Sequence, residues 1–419
     1  MGGMTRQHEK YPLDAAWDRH IIDRDRYLAI TSNVMIRLQL RGALGYQCVA
    51  RAVGRWTRLH PYLHSRLREK RDGTSWRGWL EPLSGSLSLH AAHTISAAGV
   101  IGDRLHQRIK LRVGPLLLLG FCATDDGGQL EMTMSHALGD GMSALYLCAD
   151  LLALLDDPDG STFVSSIAGR PAPCATDYSS EAAVPAAPIF NMNTLPGAAL
   201  EDDGPDDWQM RALDLGRYAA LSDWLQRRNI CAAPEDLIHW HIQRAATDAG
   251  EPAPTPAVIQ SYRELLAPAL RRRTANEALF SRIAVPSVTA VPQREWLEDF
   301  HRRRRQSVSI ARVLAQRQFI LALNQALADG RGVSAARQTL RALQRGNVFA
   351  TNNYGDIDRC FPQTRHITLQ WLDIQDAAPN DELRFWSLGG KLYANLSGNA
   401  RRIALWSDAL RRLEATSTT

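Results

Sequence analysis

The chain has 419 residues, 45% hydrophobic and 22% charged, which are globular values and too long for one ordinary core, so about two domains are expected. It holds no run of about 18 apolar residues, which argues against a membrane span. The net charge of +5 permits an acidic partner, but the basic runs Arg271–Arg273 and Arg302–Arg305 have no interleaved aromatics and no base-reading motif, which argues against nucleic acid.

A solvated helix face is the expected role of those arginines, with a landing site for a phosphorylated cofactor or an acidic carrier protein as the alternative. The start, MGGMTRQHEKYPLD, lacks the apolar segment of a secretory signal. The six cysteines (48, 122, 148, 174, 231 and 360) are scattered without a CxxC pair. Free thiols and a cytoplasmic location are therefore expected, with no structural zinc and no other metal site.

In chain order, Val34, Ile36, Leu38 and Leu40 alternate with Met35, Arg37 and Gln39, predicting a strand that Gly42 closes. Leu44, Cys48, Val49, Ala52, Val53, Trp56 and Leu59 mark one face of a helix that stops before Pro61. Trp76 to Leu80 reads as a short strand, whereas 91–112 shows no clear period. Leu116 to Thr124 is a near-continuous apolar run, the pattern of a strand buried on both faces. The hairpin residues Asp125-Asp126-Gly127-Gly128 follow, with glycine expected for the positive φ of a tight turn. Leu130, Met132 and Met134 then alternate with Glu131, Thr133 and Ser135, predicting a partner strand with one buried face.

From 161 to about 207 the composition shifts to Ala, Pro, Ser, Asp and Glu without a period, as an interdomain connection would. A strand at Leu213–Leu215 restarts the fold. A helix follows with Tyr218, Leu221, Trp224 and Leu225 inward, then another from about Pro234. His239 and His241 lie two apart on that helix, hence on different faces, and are not a metal pair. Strands are predicted at Ala257–Tyr262 and Ala278–Val285. Helical stretches run from Trp296 to Leu323, broken near Ser307–Ser309, and from Ala335 to Leu343. Phe349 to Gly355 is an apolar start running into turn-forming residues. Strands at His366–Leu372 and around Gly389-Gly390, and a helix over 400–413, complete the chain.

The chemistry is expected at LEMTMSHALGDGMSA, residues 130–144. His136 ends the alternating strand on its apolar side. Asp140 is a good N-cap for a helix in which Leu145, Ala149 and Leu152 recur, ending at Asp156-Asp157-Pro158-Asp159-Gly160. An imidazole in a strand-to-helix turn, with an unperturbed pKa of about 6.5, needs little adjustment to accept a proton near neutrality. A hydrogen-bonded core histidine is the alternative for any isolated HxxxDG.

PYLHSRL at 61–67, GPLLLLGF at 114–121 and SHALGDGMS at 135–143 resemble, in order and spacing, the first half of the condensation-domain-like acyltransferases. That superfamily includes chloramphenicol acetyltransferase, nonribosomal-peptide condensation domains, plant BAHD enzymes, wax ester synthases, alcohol acetyltransferases and mycobacterial polyketide-associated acyltransferases. QSYRELLAP at 260–268 and FATNNYGDID at 349–358 resemble segments of their second half. Ser135 stands where condensation domains usually carry a first histidine, and Asn353-Tyr354-Gly355 holds the place of a DFGWG motif. Both departures favour a free-standing acyltransferase.

The resemblance implies an α/β fold of mixed sheets, in two chloramphenicol-acetyltransferase-like lobes forming a V around a central tunnel. The division expected is 1–175 for a lobe carrying HxxxDG, 176–207 for a linker and 208–419 for a second lobe. His136 would be the general base of acyl transfer from a coenzyme A or carrier-protein thioester to a hydroxyl or amine acceptor, as in specialised metabolism. Asp140 would pair with Arg263 of the other lobe, and capping of the helix by Asp140 is compatible with that. Gly141 would leave space for substrate or only shape a turn. Asn353 would contact an oxyanion, hold the crossover or form a turn, and Ser135 would contact the tetrahedral intermediate. No bound cofactor is implied. The partners are an acyl thioester, a small acceptor and, in one version, an acyl or peptidyl carrier protein, with a monomer sufficient. The competing readings are a free-standing condensation enzyme joining carrier-bound substrates and a non-catalytic binding protein with a vestigial tunnel.

Overall fold

The computed structural model describes residues 11–12, 33–72, 75–85, 87–92, 109–157, 163, 165, 167, 208–214, 218–266, 268, 271–272, 274, 278–309, 312–313, 347–376 and 381–416. The expected linker at 176–207, most of 91–112, and the helical stretches beyond 313 lie outside the described residues.

A two-residue strand β1 (Tyr11–Pro12) precedes β2 (Asn33–Arg41), whose Val34, Ile36, Leu38 and Leu40 are all buried. Helix α1 (Tyr46–Leu59) buries Val49, Ala52, Val53 and Trp56, spaced so that they share one face, and stops just ahead of Pro61. The hairpin of β3 (Ser65–Asp72) and β4 (Ser75–Pro82) is followed by β5 (Leu89–Ala92). Strands β6 (Leu117–Thr124) and β7 (Gly127–Ser135) form the central hairpin, turning at Asp125-Asp126. Helix α2 (Gly141–Asp156) is apolar nearly all round and correspondingly buried.

In the second half come β8 (Trp208–Asp214), α3 (Tyr218–Arg227), α4 (Pro234–Asp248), β9 (Thr255–Ser261), β10 (Ala278–Arg282) and α5 (Gln293–Gln306). Leu221, Trp224 and Leu225 of α3 are buried as the spacing predicts. Proline at the first position of α4 needs no N–H partner there, which fixes that helix start. The chain ends with β11 (Val348–Asp356), β12 (Thr368–Asp376), β13 (Asp381–Leu388), β14 (Lys391–Asn399) and α6 (Ala400–Thr416). Gly389 and Gly390, at φ of 58° and 73°, make the predicted β13–β14 turn.

Two large sheets organise these elements. One has the order β12-β2-β7-β6-β5 and the other β10-β9-β11-β13-β14-β8, beside a small sheet β1-β4-β3. The first sheet turns Val34, Ile36, Leu38, Leu119, Leu130 and Met132 into a core shared with Trp56 of α1 and Leu145 and Leu152 of α2. The second turns Phe349, Leu383, Phe385 and Leu396 onto α4, α5 and α6. The expected α/β class with mixed sheets is the one observed.

Three sequence expectations are corrected by the packing. Strand β12 lies in the second half of the chain but pairs antiparallel with β2, Ile36 opposite Ile374 and Leu38 opposite Leu372. The first sheet therefore includes a strand from beyond residue 175. Strand β7 is buried on both faces rather than one. Glu131 accepts from Arg37 Nε of the neighbouring β2 at 3.0 Å, and the second sheet reaches this sheet at β12, where Asn395 Nδ2 of β14 donates to Asp373 Oδ1 at 3.0 Å. Finally, residues 352–355, expected to turn, continue β11: Asn352 pairs with both β9 and β13, and Asn353 and Gly355 pair with β13 across a bulge at Tyr354.

Glycines 127 and 128 have a different role from the positive φ expected of them, since both are ordinary strand residues. A Cβ at Gly127 would lie 2.0 Å from the Leu40 carbonyl oxygen and 2.8 Å from Arg41 Cα. Backbone cannot yield as a side chain would, so Gly127→Ala is expected to lower unfolding stability by about 1–3 kcal/mol in urea titrations.

Two histidines of α4 are expected to make the fold acid-sensitive. His239, 1% exposed, sits between Phe300 and Phe349 and shares a 2.9 Å hydrogen bond with Thr351 Oγ1. Burial pushes its pKa down to about 3, and burial, with Arg412 adding, pushes that of His241 down to about 4. Unfolding restores ordinary values near 6.5, so the unfolded chain binds more protons between those limits. The stability from these neutral rings is present above about pH 6.5 and lost as pH falls toward 4. The urea midpoint at pH 5 is expected to lie below that at pH 7, with a smaller difference in His239→Gln.

Candidate active site

The site is built where β7 ends and α2 begins. Ser135 closes the strand: its N–H donates to Leu116 O at 2.9 Å, and its carbonyl accepts from Leu138 N at 2.9 Å. Its hydroxyl oxygen accepts from Ala137 N at 3.2 Å. Ser135 is fully buried rather than outward-facing, and its side chain shapes the turn that holds His136. His136 itself is 6% exposed, at the mouth of the central strand. Gly139, with φ of 151°, supplies the backbone freedom that lets the chain leave this turn and start a helix two residues later.

Asp140 performs both roles expected of it. As N-cap of α2 its Oδ1 accepts from Ser143 N and from Ser143 Oγ, each at 2.8 Å. The same oxygen receives Arg263 Nη2 at 2.7 Å, joining positions 123 residues apart in the chain. Arg263 is 4% exposed and reaches this place because a 3-10 turn at Arg263–Leu265 follows directly on β9. It also donates to Ser143 Oγ at 3.0 Å and to the Arg271 carbonyl at 3.1 Å. Burial makes this pair an all-or-none arrangement, since either charge without the other is costly in a low dielectric.

Ser143 was not singled out in the sequence, although Asp-x-x-Ser at a helix start sets both an N–H and a hydroxyl against the capping carboxylate. Tyr146 was also missed. The Arg263 and Arg272 guanidinium carbons stand 5.5 and 4.6 Å from its ring centroid, and burial raises its hydroxyl pKa. Arg272 further donates to the Cys360 carbonyl at 3.1 Å. Of the second basic run, Arg302 and Arg303 pair with Asp299 on their own helix, and Arg304 turns inward to Glu235 and Asp236. Those charges are used within the fold.

The structure surrounds Gly141 and Asn353 with protein partners. Gly141 has no positive φ, and the space beside it is filled: a Cβ there would lie 2.4 Å from Tyr354 Oη and 2.7 Å from Cε1. The glycine makes room for the Tyr354 ring. Asn353 directs its amide to Glu235 Oε2 at 2.9 Å and accepts from Gly355 N at 2.8 Å, so its polar atoms serve α4 and its own strand.

A second cluster of His60, Asp150 and Ser165 joins α1, α2 and the segment after it. His60 Nε2 is 3.2 Å from Asp150 Oδ2 and 3.4 Å from Ser165 Oγ, which also donates to Asp150. A nucleophile relay needs the carboxylate on one ring nitrogen and the serine on the other, whereas here both meet Nε2. The cluster is a structural knot. Among the described residues no group of three or more His, Cys, Asp or Glu side chains is placed to hold a metal ion, and no helix is long and apolar enough to cross a membrane.

No protein-family model matches the chain, and no curated protein sequence does. Solved structures match along its length. TRI3 trichothecene 15-O-acetyltransferase from Fusarium sporotrichioides superposes with a TM-score of 0.65 over 99% of both chains, at 11% identity. The condensation domain of the Monacolin K polyketide synthase MokA gives 0.62 over 98% of both, at 12% identity. The fold is that of the condensation-domain-like acyltransferases. TRI101 from F. graminearum, solved with coenzyme A and T-2 mycotoxin, shares that condensation-domain-like fold with a TM-score of 0.61 over 94% of this chain and 96% of its own, at 11% identity.

Proposed function

We propose that the protein is an acyltransferase that moves an acyl group from a coenzyme A thioester to a hydroxyl or amine acceptor, with His136 as general base. The observation that carries this reading is the buried His136 turn, fixed at the start of α2 by an Asp140–Arg263 ion pair from two distant parts of the chain. Support comes from TRI101, whose complex holds coenzyme A together with T-2 mycotoxin, and from TRI3, a 15-O-acetyltransferase.

In this mechanism His136 takes the proton of the acceptor O–H or N–H as the heteroatom attacks the thioester carbonyl. The tetrahedral intermediate then expels the thiolate, C–S cleaving as C=O re-forms, and the imidazolium returns its proton to sulfur. The products are an ester or amide and a free thiol. His136 serves as base and then as acid, so no acyl-enzyme is needed. Asp140 and Arg263 position the loop, and Ser135 shapes the turn beneath the imidazole. Because one chain supplies both sides of the ion pair, a monomer suffices.

The test is thiol release from a panel of acyl-coenzyme A donors with mixed small alcohols and amines, wild type against His136→Ala. Release that requires acceptor and is lost in the variant is the expected result. Release only from acyl-carrier protein would select the condensation reading favoured by the MokA likeness. No release from either donor class would leave only a binding role.

A further inference from the structure

Tyr354 leaves the ladder of its own sheet. Asn353 pairs with Phe385 and Gly355 with Trp386, so Tyr354 is the extra residue of a bulge, and Gly355 takes a φ of 71° to allow it. Bulges re-aim side chains, and this one sends a second-half tyrosine into the apolar cluster of the first half, against the start of α2. The half-buried ring occupies the place that a side chain at residue 141 would take.

The bulge is clamped from both faces of the sheet. On one, Asn352 Nδ2 lies 3.3 Å from Tyr354 Oη and 3.4 Å from Glu382 Oε1. Glu382 is paired at 2.8 Å with Arg384, both essentially fully buried. On the other face Asn353 is held by Glu235, which is itself paired with the inward-turned Arg304. A ring fixed through two buried ion pairs is a wall rather than a mobile lid.

The geometry points to Tyr354 as the residue that limits the size of the acyl group, making short-chain acyl thioesters the donor class. This rests on the acyl-transfer reading. Gly141 closes the turn that begins at His136. A thioester carbonyl attacked beside His136 therefore brings the first carbons of its acyl chain toward residue 141, where they meet the Tyr354 ring. A long chain has to displace a side chain that is anchored on both sides.

Ethyl-, butyl- and octyl-coenzyme A thioethers, which bind without reacting, test this by calorimetry on the full-length protein. Wild type is expected to bind the ethyl and butyl thioethers and to bind octyl much more weakly. Tyr354→Ala is expected to improve the octyl-to-ethyl affinity ratio by roughly tenfold or more, the scale on which a pocket rejects excess methylenes. Tyr354→Phe, which keeps the ring, should retain the wild-type profile, and Glu235→Gln should relax it partway. Tyr354→Leu replaces the alanine variant if that does not fold. A Tyr354→Ala or Tyr354→Leu profile identical to wild type overturns this inference alone. Failure of wild type to bind any thioether overturns it together with the coenzyme A reading.

Discussion

His136→Ala is expected to lower kcat for thiol release by about 10²–10⁴-fold, the usual contribution of a positioned general base. KM for the donor should change little, because the imidazole acts on a proton in flight rather than on the bound thioester. The turn should survive the change, since it is closed by Ser135 and Leu138 backbone bonds that do not involve the ring. Far-ultraviolet circular dichroism and the urea midpoint are therefore expected to stay close to wild type, separating lost chemistry from lost structure. A drop in kcat smaller than tenfold would remove His136 as the base.

Arg263→Ala is the second large effect, and it falls on stability. The Asp140 and Arg263 side chains are 10% and 5% exposed, and removing the guanidinium leaves a buried carboxylate to be solvated by little but Ser143. A loss of about 3–5 kcal/mol is expected in urea unfolding. Asp140→Ala should cost at least as much, because it removes the helix cap along with the ion partner. The double variant should cost less than the sum of the two, since neither charge is then stranded. Additive losses, or a single loss below about 1 kcal/mol, would show that the pair is not the link between the two regions.

Much of the site was legible because its signals are local. Strand alternation through Met134, then Asp140 and an apolar helix, placed His136 in a turn without tertiary knowledge. The partner Arg263 came from resemblance, since no local rule connects β9 to the start of α2. The surroundings of Gly141 and Asn353 were not legible, for a common reason. What occupies the space beside Gly141 depends on a bulge in β11, and the bulge depends on its register against β13, which no pattern within NNYG encodes. The burial of Glu131, Thr133 and Ser135 was likewise invisible, because a polar strand face reads as solvent-facing until the rest of the fold covers it. Turn-forming residues at 352–355 stay in the strand because β13 pairs with Asn353 and Gly355 on either side of the bulge.

The placement of β12 bears on how the protein is made. Until Thr368–Asp376 has emerged from the ribosome, β2 presents an unsatisfied ladder edge, because its other side is already taken by β7. That bare edge persists through nearly the whole of synthesis, and open edges are templates for mispairing between nascent chains. A fragment ending at 207 should carry the same exposed edge permanently and self-associate, and a supplied peptide spanning β12 should suppress that association.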